Sequence, residues 1–229
     1  MNLVLFDIDG TLTQSFEYDR EVFSLALADV IGSAYIDTDL DAYLATTSAG
    51  VTREAFQRSL GRGPRPEEFE EAERRVLWHL EKRYRESPRA FVEVPGATRC
   101  VAQLRKLDGA VVAIATGCWR REAMFKLQSS GFRPDGIPLA TSDDDEARQR
   151  IMEISVKRAL VFYGCSRFDR IVSIGDGLWD LQAARALGYG FIGIGARLQA
   201  LREAGARHVH RDYLEAGAVM ASLAAELNP

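Results

Sequence analysis

The sequence predicts an α/β fold, with a mostly parallel sheet and a block of helices inserted after the first strand. Three observations predict it. Short, continuous apolar segments, typical of buried parallel strands, recur along the chain. Helical patterns separate these segments in the second half of the sequence. One long stretch, residues 16–89, contains helix signals and no convincing strand.

Five short segments predict the strands of the sheet. Each is nearly continuous in apolar residues, as expected where helices cover both faces of a parallel sheet. The three strongest and then the two weaker candidates are Leu3–Phe6, Val111–Ala115, Ile171–Ile174, Ile137–Ala140 and Gly190–Ile194.

Four segments next to these strands predict the covering helices. They are Ala97–Leu107, Arg120–Ser130, Arg148–Tyr163 and Trp179–Leu187. Strands and helices that alternate in this way form open, doubly wound sheets. Ligands of such sheets bind beyond the carboxyl ends of the strands, so the residues at those ends are the first candidates for a functional site.

The inserted block, residues 16–89, predicts three helices. Asp19 is expected to cap the first and Thr52 the second, since short polar side chains accept hydrogen bonds from the amides of a first turn. Pro66 suits the first position of the third helix, whose acidic start and basic end agree with the helix dipole. A helical block placed directly after the first strand predicts a cap over the core.

Composition excludes several classes of protein. The formal net charge of −4 disfavours a nucleic-acid-binding protein, which usually carries a basic excess. Hydrophobic residues make up 47% and charged residues 27%, as in ordinary globular domains, and no apolar stretch is long enough to span a bilayer. Three cysteines without paired spacing indicate reduced thiols, and the first residues lack the pattern of a signal peptide. We therefore expect a cytoplasmic protein without a membrane partner.

Polar residues follow three of the predicted strands at the points where the strands end. Because these ends meet at one edge of a parallel sheet, we expect their side chains to lie close together. A hydrophobic core does not explain so many carboxylates in one place. The residues are, in chain order, Asp7, Asp9, Thr116, Gly117 and Asp176, with Asp180 about one helical turn later.

These residue types suit the transfer of a phosphoryl group. A carboxylate such as Asp7 can attack phosphorus and form an aspartyl-phosphate, and Asp9 can act as the general acid and base. Asp7, Asp9 and Asp176 offer the hard oxygen ligands that Mg²⁺ prefers. Thr116 and the amides that follow it, beginning at Gly117, can donate hydrogen bonds to phosphoryl oxygens.

The ordered motifs resemble those of the haloacid dehalogenase-like (HAD) superfamily. Its first motif carries the nucleophile and, two residues later, the acid/base, its second is an apolar strand ending in Thr or Ser, and its fourth is an acidic pair. The similar segments here are Asp7-x-Asp9-Gly10-Thr11, Ala113-Ile114-Ala115-Thr116-Gly117 and Gly175-Asp176-x-x-x-Asp180.

The resemblance implies a Rossmann-like HAD core of residues 1–15 and 90–229 and a helical cap of residues 16–89, as in phosphoglycolate phosphatase-like members. It implies a phosphatase that requires Mg²⁺ and acts on a small phosphorylated metabolite. Asp176 would bind the metal directly, Asp180 would support the site, and the backbone carbonyl of Asp9 would also be a ligand.

The third motif of the family departs from its usual form, a lysine near the start of the helix that precedes the fourth motif. The expected Lys-Pro pair is missing. Arg148, Arg150 and Lys157 are the candidates. Arg148 has the best position, since it begins the predicted helix, and an arginine can clamp a phosphate with two hydrogen bonds.

Several alternatives stay open at this point. A phosphomutase would use the same phosphoaspartate and return the group to a sugar hydroxyl, and a catalytically silent binding protein could share the fold. The chain could be a monomer or a homodimer. Trp119 and Trp179 could each line the substrate pocket or pack on the core. Cys118 is expected to be a small buried filler and Trp78 a core residue of the cap.

Overall fold

The computed structural model describes residues 1–32 and 43–227 and contains one six-stranded sheet in which every strand pair is parallel. The strand order is β3-β2-β1-β4-β5-β6. The mostly parallel α/β prediction is therefore confirmed. The strands are β1 (Asn2–Phe6), β2 (Ala110–Ala115), β3 (Leu139–Ala140), β4 (Ile171–Gly175), β5 (Gly190–Ile194) and β6 (His208–His210).

Hydrophobic clusters lie on both faces of this sheet. Side chains alternate along β1, so Leu3 and Leu5 belong to one cluster while Val4 and Phe6 belong to the other. Both faces are covered by helices, which explains why the strand sequences are apolar throughout. The covering helices are α4 (Ala97–Leu104), α5 (Arg120–Ser129), α6 (Arg148–Tyr163), α7 (Leu178–Ala186), α8 (Leu198–Glu203) and α9 (Ala216–Leu227).

Three further helices follow β1: α1 (Phe16–Ile31), α2 (Ser48–Leu60) and α3 (Pro66–Glu86). They share a hydrophobic cluster that is separate from the two sheet clusters and that also contains Trp119. The structure describes no strand in residues 16–32 or 43–89, although one turn of 3-10 helix, Pro88–Ala90, follows α3. The core and cap boundaries drawn above stay a prediction, and residues 33–42 lie outside the described part of the cap.

Two predicted helix caps are wrong. Helix α1 begins at Phe16, so Asp19 lies within its first turn. The Asp19 side chain is buried and pairs with Lys126. Helix α2 begins at Ser48 and is capped by Thr47, whose hydroxyl accepts a hydrogen bond from the amide of Gly50. Thr52 instead bonds back to the carbonyl of Ser48 at 2.8 Å.

The start of α3 agrees with the sequence: Pro66 is its first residue, with two glutamates in the opening turn. The prediction that Trp78 belongs to the core of the cap is wrong, because this side chain is 45% exposed on α3. β6 was not predicted as a strand, since its three residues are two histidines around one valine. Within the described residues, no helix is long and apolar enough to cross a membrane.

Candidate active site

The polar strand ends meet at one edge of the sheet, as the sequence predicts. β1 lies between β2 and β4, so Asp7, Thr116 and Asp176 follow three adjacent strands. All three side chains are buried. They line a cavity of about 70 Å³, whose other walls include Asp9, Asp19, Phe23, Thr46, Thr47, Ser48, Val51, Gly117, Cys118, Glu122, Arg148 and Trp179.

Asp7 and Arg148 form the central ion pair of this cavity. Arg148 Nη1 donates to Asp7 Oδ1 at 2.9 Å, and both side chains are largely buried. Burial chiefly, and then the nearby Asp180 carboxylate, raise the pKa of Asp7 to about 8, although Arg148 opposes the shift. A further positive charge beside Asp7 would oppose this shift and favour the ionised carboxylate.

Arg148 is the first residue of α6, and this position directs its side chain at the strand ends. Its Nη1 also lies 3.3 Å from Asp180 Oδ1, and its Nη2 donates to the carbonyl of Thr46 at 3.4 Å. Arg150 is exposed and pairs with Glu153, and Lys157 is exposed as well. Of the three third-motif candidates, the structure brings Arg148 alone into the site.

Asp7, Asp176 and Asp180 bring carboxylate oxygens within 4.8 Å of one another, and all three residues are buried. Asp176 Oδ1 is buried without a hydrogen-bond partner among the described residues. Burial first, and then Asp180 and Asp7, raise the pKa of Asp176 well above its ordinary value. An excess of buried negative charge with an unpartnered oxygen fits a divalent cation with hard oxygen ligands, such as Mg²⁺.

Asp180 has two separate contacts. Its Oδ2 accepts a hydrogen bond from the amide of Gly177 at 3.1 Å, which caps α7, and its Oδ1 faces Arg148. The first contact fixes the carboxylate on its own helix. Asp180 therefore connects the acidic group to the arginine that also holds Asp7.

The carboxylate of Asp9 is not among the converging oxygens of Asp7, Asp176 and Asp180 and contacts other side chains. Its Oδ1 lies 3.0 Å from Lys126 Nζ and also accepts a hydrogen bond from Ser15. Its Oδ2 accepts a 2.8 Å bond from the thiol of Cys118. Burial raises the pKa of Asp9, but Lys126, Cys118 and Ser15 lower it more, so the pKa lies below its ordinary value.

Lys126 is a site residue that the sequence reasoning missed. Its side chain is 1% exposed, and its ammonium contacts three carboxylates. The one available signal was a lysine between Phe125 and Leu127 in a helix, where an apolar residue fits the pattern better. Cys118, expected to be a filler, lies between this ammonium and Asp9.

Two glycines leave room for these side chains. A Cβ on Gly10 would lie 2.2 Å from Asp176 Oδ2, and the residue has a positive φ of 71°. A Cβ on Gly117 would lie 2.8 Å from Arg148 Nη2 and 2.9 Å from the carbonyl of Thr46. Both glycines are therefore required by close approach, the first of a carboxylate and the second of the arginine.

The segment Thr46–Ala49 closes the cavity on the side of the inserted helices. The amide of Ser48 donates to the carbonyl of Gly117 at 2.7 Å. The hydroxyl of Thr47 donates to the carbonyl of Glu146 at 2.8 Å, and the amide of Ala49 donates to Ser142 Oγ at 2.9 Å. These bonds dock the start of α2 on the loops that carry the second and third motifs.

The two tryptophans beside the strand ends differ in their surroundings. Trp179 lines the cavity. Trp119 is 1% exposed and stacks on Phe23 at 5.7 Å, with Phe69 edge-on at 5.6 Å. Trp179 is thus placed to contact a ligand, whereas Trp119 packs α1 and α3 against the start of α5.

Together, the parallel sheet and the carboxylates at its strand ends define an α/β protein with a buried acidic site beside a helical insertion. A family model described as haloacid dehalogenase-like hydrolase matches residues 1–188. The chain belongs to this family, whose members are generally phosphatases, and the resemblance inferred from the motifs is confirmed. No curated protein matches the chain with significant sequence similarity.

Solved structures share the fold over nearly the whole chain. A hydrolase from Pseudomonas syringae has a TM-score of 0.75 at 22% identity, with 97% of this chain and 99% of that chain covered. A candidate beta-phosphoglucomutase from Bacteroides vulgatus has a TM-score of 0.71 at 17% identity, covering 100% and 91%. A predicted phosphoglycolate phosphatase from Haemophilus somnus has a TM-score of 0.63 at 16% identity, covering 95% and 97%. At these identities the likeness shows the fold.

Proposed function

We propose that the protein is a magnesium-dependent phosphatase that hydrolyses a small phosphate monoester through an aspartyl-phosphate on Asp7. One observation carries the proposal. Asp7 lies buried in a cavity with an arginine 2.9 Å from its Oδ1 and two further carboxylates within 4.8 Å. This arrangement provides a nucleophile, a fixed cation and ligands for a second cation in one place.

Mg²⁺ would be held by Asp7, Asp176 and Asp180, the group whose oxygens converge, or by the backbone carbonyl of Asp9 in place of Asp180. When bound, the ion supplies the positive charge that lets a phosphate dianion approach a carboxylate nucleophile. The same charge would lower the pKa of Asp7 and keep it ionised. The carboxylate of Asp9 is not part of this group, because it faces Lys126.

The reaction has two steps. In the first, an Asp7 oxygen attacks phosphorus and the bond to the leaving oxygen breaks. The protonated form of Asp9, a minor form because the pKa of Asp9 is lowered, gives that oxygen a proton. In the second, Asp9 takes a proton from a water molecule, whose oxygen attacks phosphorus and frees Asp7 and inorganic phosphate. Asp9 therefore ends each turnover in the protonation state in which it began.

Arg148, Thr116 and the amides that follow Thr116 would hold the phosphoryl oxygens. Arg148 already bridges Asp7 and Asp180, so it can stabilise negative charge that develops between them. Thr116 is 1% exposed at the end of β2 and lines the same cavity. Asp7, Asp180 and the carbonyl of Thr46 hold the guanidinium of Arg148 in place before the substrate arrives, which reduces reorganisation during the reaction.

The size of the cavity supports a small substrate. The part of the cavity around Asp7, about 70 Å³, accommodates a phosphoryl group, and a larger cavity next to it shares Thr46, Thr47, Arg148 and Trp179. The docked segment Thr46–Ala49 would move to admit the ester and then exclude bulk water, as lids do in many enzymes. We propose on this basis that residues 16–89 act as the cap of a core formed by residues 1–15 and 90–229.

All three cysteines are free, which supports a cytoplasmic location.

The test is phosphate release from a panel of small phosphorylated metabolites, with Mg²⁺ and with a chelator. We expect release that requires Mg²⁺ and is lost in Asp7→Asn. Asp135→Asn is the control, since this aspartate is exposed. Retained hydrolysis in Asp7→Asn would overturn the nucleophile, and release with chelator would overturn the metal. Transfer to a sugar hydroxyl without phosphate release would identify a phosphomutase instead.

A further inference from the structure

Lys126 is the centre of a buried charge cluster beside the proposed acid/base. Its Nζ lies 3.0 Å from Asp9 Oδ1, 2.7 Å from Asp19 Oδ1 and 2.7 Å from Glu122 Oε1. The same Nζ lies 3.3 Å from Cys118 Sγ, so the three N–H donors of the ammonium are shared among four acceptors. A charged group that is 1% exposed persists only when it is paired in this way, so the geometry around Nζ is firmly fixed.

The partners of Asp9 distinguish its two oxygens. Oδ1 accepts from Lys126 Nζ and from the hydroxyl of Ser15, which fills its two acceptor positions. Oδ2 accepts a hydrogen bond from the thiol of Cys118, and a thiol is a weak donor that other groups displace readily. One oxygen of Asp9 is thus anchored, while the other stays free to exchange a proton.

Resting on the function proposed above, we propose that Lys126 is a positioning residue that anchors Asp9 Oδ1 and leaves Asp9 Oδ2 as the atom that transfers the proton. Lys126 contacts Asp9 at Oδ1 and does not itself line the cavity. It therefore acts on the substrate through Asp9.

The same ammonium connects Asp9 to the inserted helices. Asp19 belongs to α1, and Glu122 Oε2 accepts a 2.8 Å hydrogen bond from the hydroxyl of Ser48 in α2. Lys126 and Glu122 are one helical turn apart on α5, so α5 carries contacts to both helices and to Asp9. The orientation of Asp9 is consequently set together with the docking of α1 and α2.

The test compares kcat/KM for two esters that differ in their need for a proton. An alkyl phosphate has a basic leaving oxygen that requires protonation, whereas p-nitrophenolate leaves without it. kcat/KM reports the steps through departure of the leaving group. In Lys126→Met we expect kcat/KM to fall at least about tenfold for the alkyl ester and by less than about twofold for p-nitrophenyl phosphate.

Lys157→Met is the matched control, because Lys157 is exposed on α6 and the substitution is the same. We expect no change with either ester. Asp19→Asn provides a second variant in case Lys126→Met does not fold, since it keeps the shape of the side chain. It should show the same preference for the nitrophenyl ester, to a smaller degree, because it loosens one of the three contacts that fix Nζ.

Equal losses for both esters in the folded variants would overturn the positioning role and leave the phosphatase proposal intact. A wild-type protein that releases no phosphate from either ester would overturn the proposed function, and the positioning role with it. A selective loss for the alkyl ester, together with at least partial recovery in Lys126→Arg, would support the assignment.

Discussion

Arg148 Nη1 lies 2.9 Å from Asp7 Oδ1, so the first residue of α6 is joined to the residue that follows β1. The two residues are 141 positions apart, and no local pattern pairs them. The contact places an arginine where many members of the family have a lysine. Since the same guanidinium reaches Asp180 and the carbonyl of Thr46, its geometry, and not only its charge, is expected to matter.

Arg148→Met should reduce kcat/KM by about 10²–10³, the usual loss when a donor to developing negative charge is removed. Arg148→Lys should recover only part of it, because one ammonium cannot span the three contacts of the guanidinium. Steady-state kinetics with the best ester of the panel measure both. Arg150→Met is the control, as Arg150 is exposed and pairs with Glu153. Equal activity of the two methionine variants would contradict the role of Arg148.

Gly117→Ala should lower kcat/KM by about tenfold or more, because its Cβ would lie 2.8 Å from Arg148 Nη2 and displace the guanidinium. The free energy of unfolding should also fall, since the same Cβ would lie 2.9 Å from the backbone carbonyl of Thr46. Gly63→Ala is the matched control, because a Cβ there meets nothing within 4 Å. Kinetics and urea unfolding of both variants test this, and an unaffected Gly117→Ala enzyme would refute the steric argument.

Local sequence patterns were sufficient for five of the six strands and for the carboxylates and the arginine that meet at the strand ends. Apolar runs identified the strands, and parallel topology then required Asp7, Thr116 and Asp176 to meet. Arg148 was reached because it begins a helix whose position in the order of motifs was known. These features depend on short segments, whose signals survive without knowledge of tertiary contacts.

The role of Lys126 could not be predicted from the sequence, because it depends on tertiary contacts. Its partners Asp9 and Asp19 come from segments more than 100 residues away, and a buried lysine is recognisable only when they are in place. The prediction that Asp19 caps α1 failed for the same reason, because Asp19 lies within the helix and pairs with Lys126. β6 was not predicted, because its three residues include two histidines and form no apolar run. Tertiary pairing, rather than local propensity, decided all of these features.

The ion pair between Asp144 and Arg158 predicts a pH-dependent contribution to stability. Two guanidinium nitrogens contact the two carboxylate oxygens at 2.5 and 2.7 Å, and the amide of Thr141 donates to one of them. Burial raises the pKa of Asp144, but Arg158 and Thr141, with a smaller contribution from Arg120, lower it below the ordinary 3.8. The contribution is therefore present above about pH 4 and is lost as pH falls through the lowered pKa.

Asp144→Asn should lower the free energy of unfolding by about 1 kcal/mol at pH 7, a modest value because Arg158 is partly exposed. The difference from wild type should shrink as the pH falls below 4, where the native carboxyl also becomes neutral. Urea unfolding at pH 7, 5, 4 and 3 provides the measurement, with the exposed Asp135→Asn as control. A difference that is constant with pH would show that charge is not its source.

Substitution of Trp119 tests how much the packing of the inserted helices on the core contributes to stability. The side chain is 1% exposed and contacts Phe23 of α1 and Phe69 of α3, so its removal leaves a cavity between α5 and both helices. Trp119→Ala should reduce the free energy of unfolding by about 3–5 kcal/mol. Trp78→Ala removes the same atoms from a side chain that is 45% exposed, so its cost should stay below about 1.5 kcal/mol. Equal costs in urea unfolding would mean that the aromatic contacts around Trp119 do not hold the helices in place.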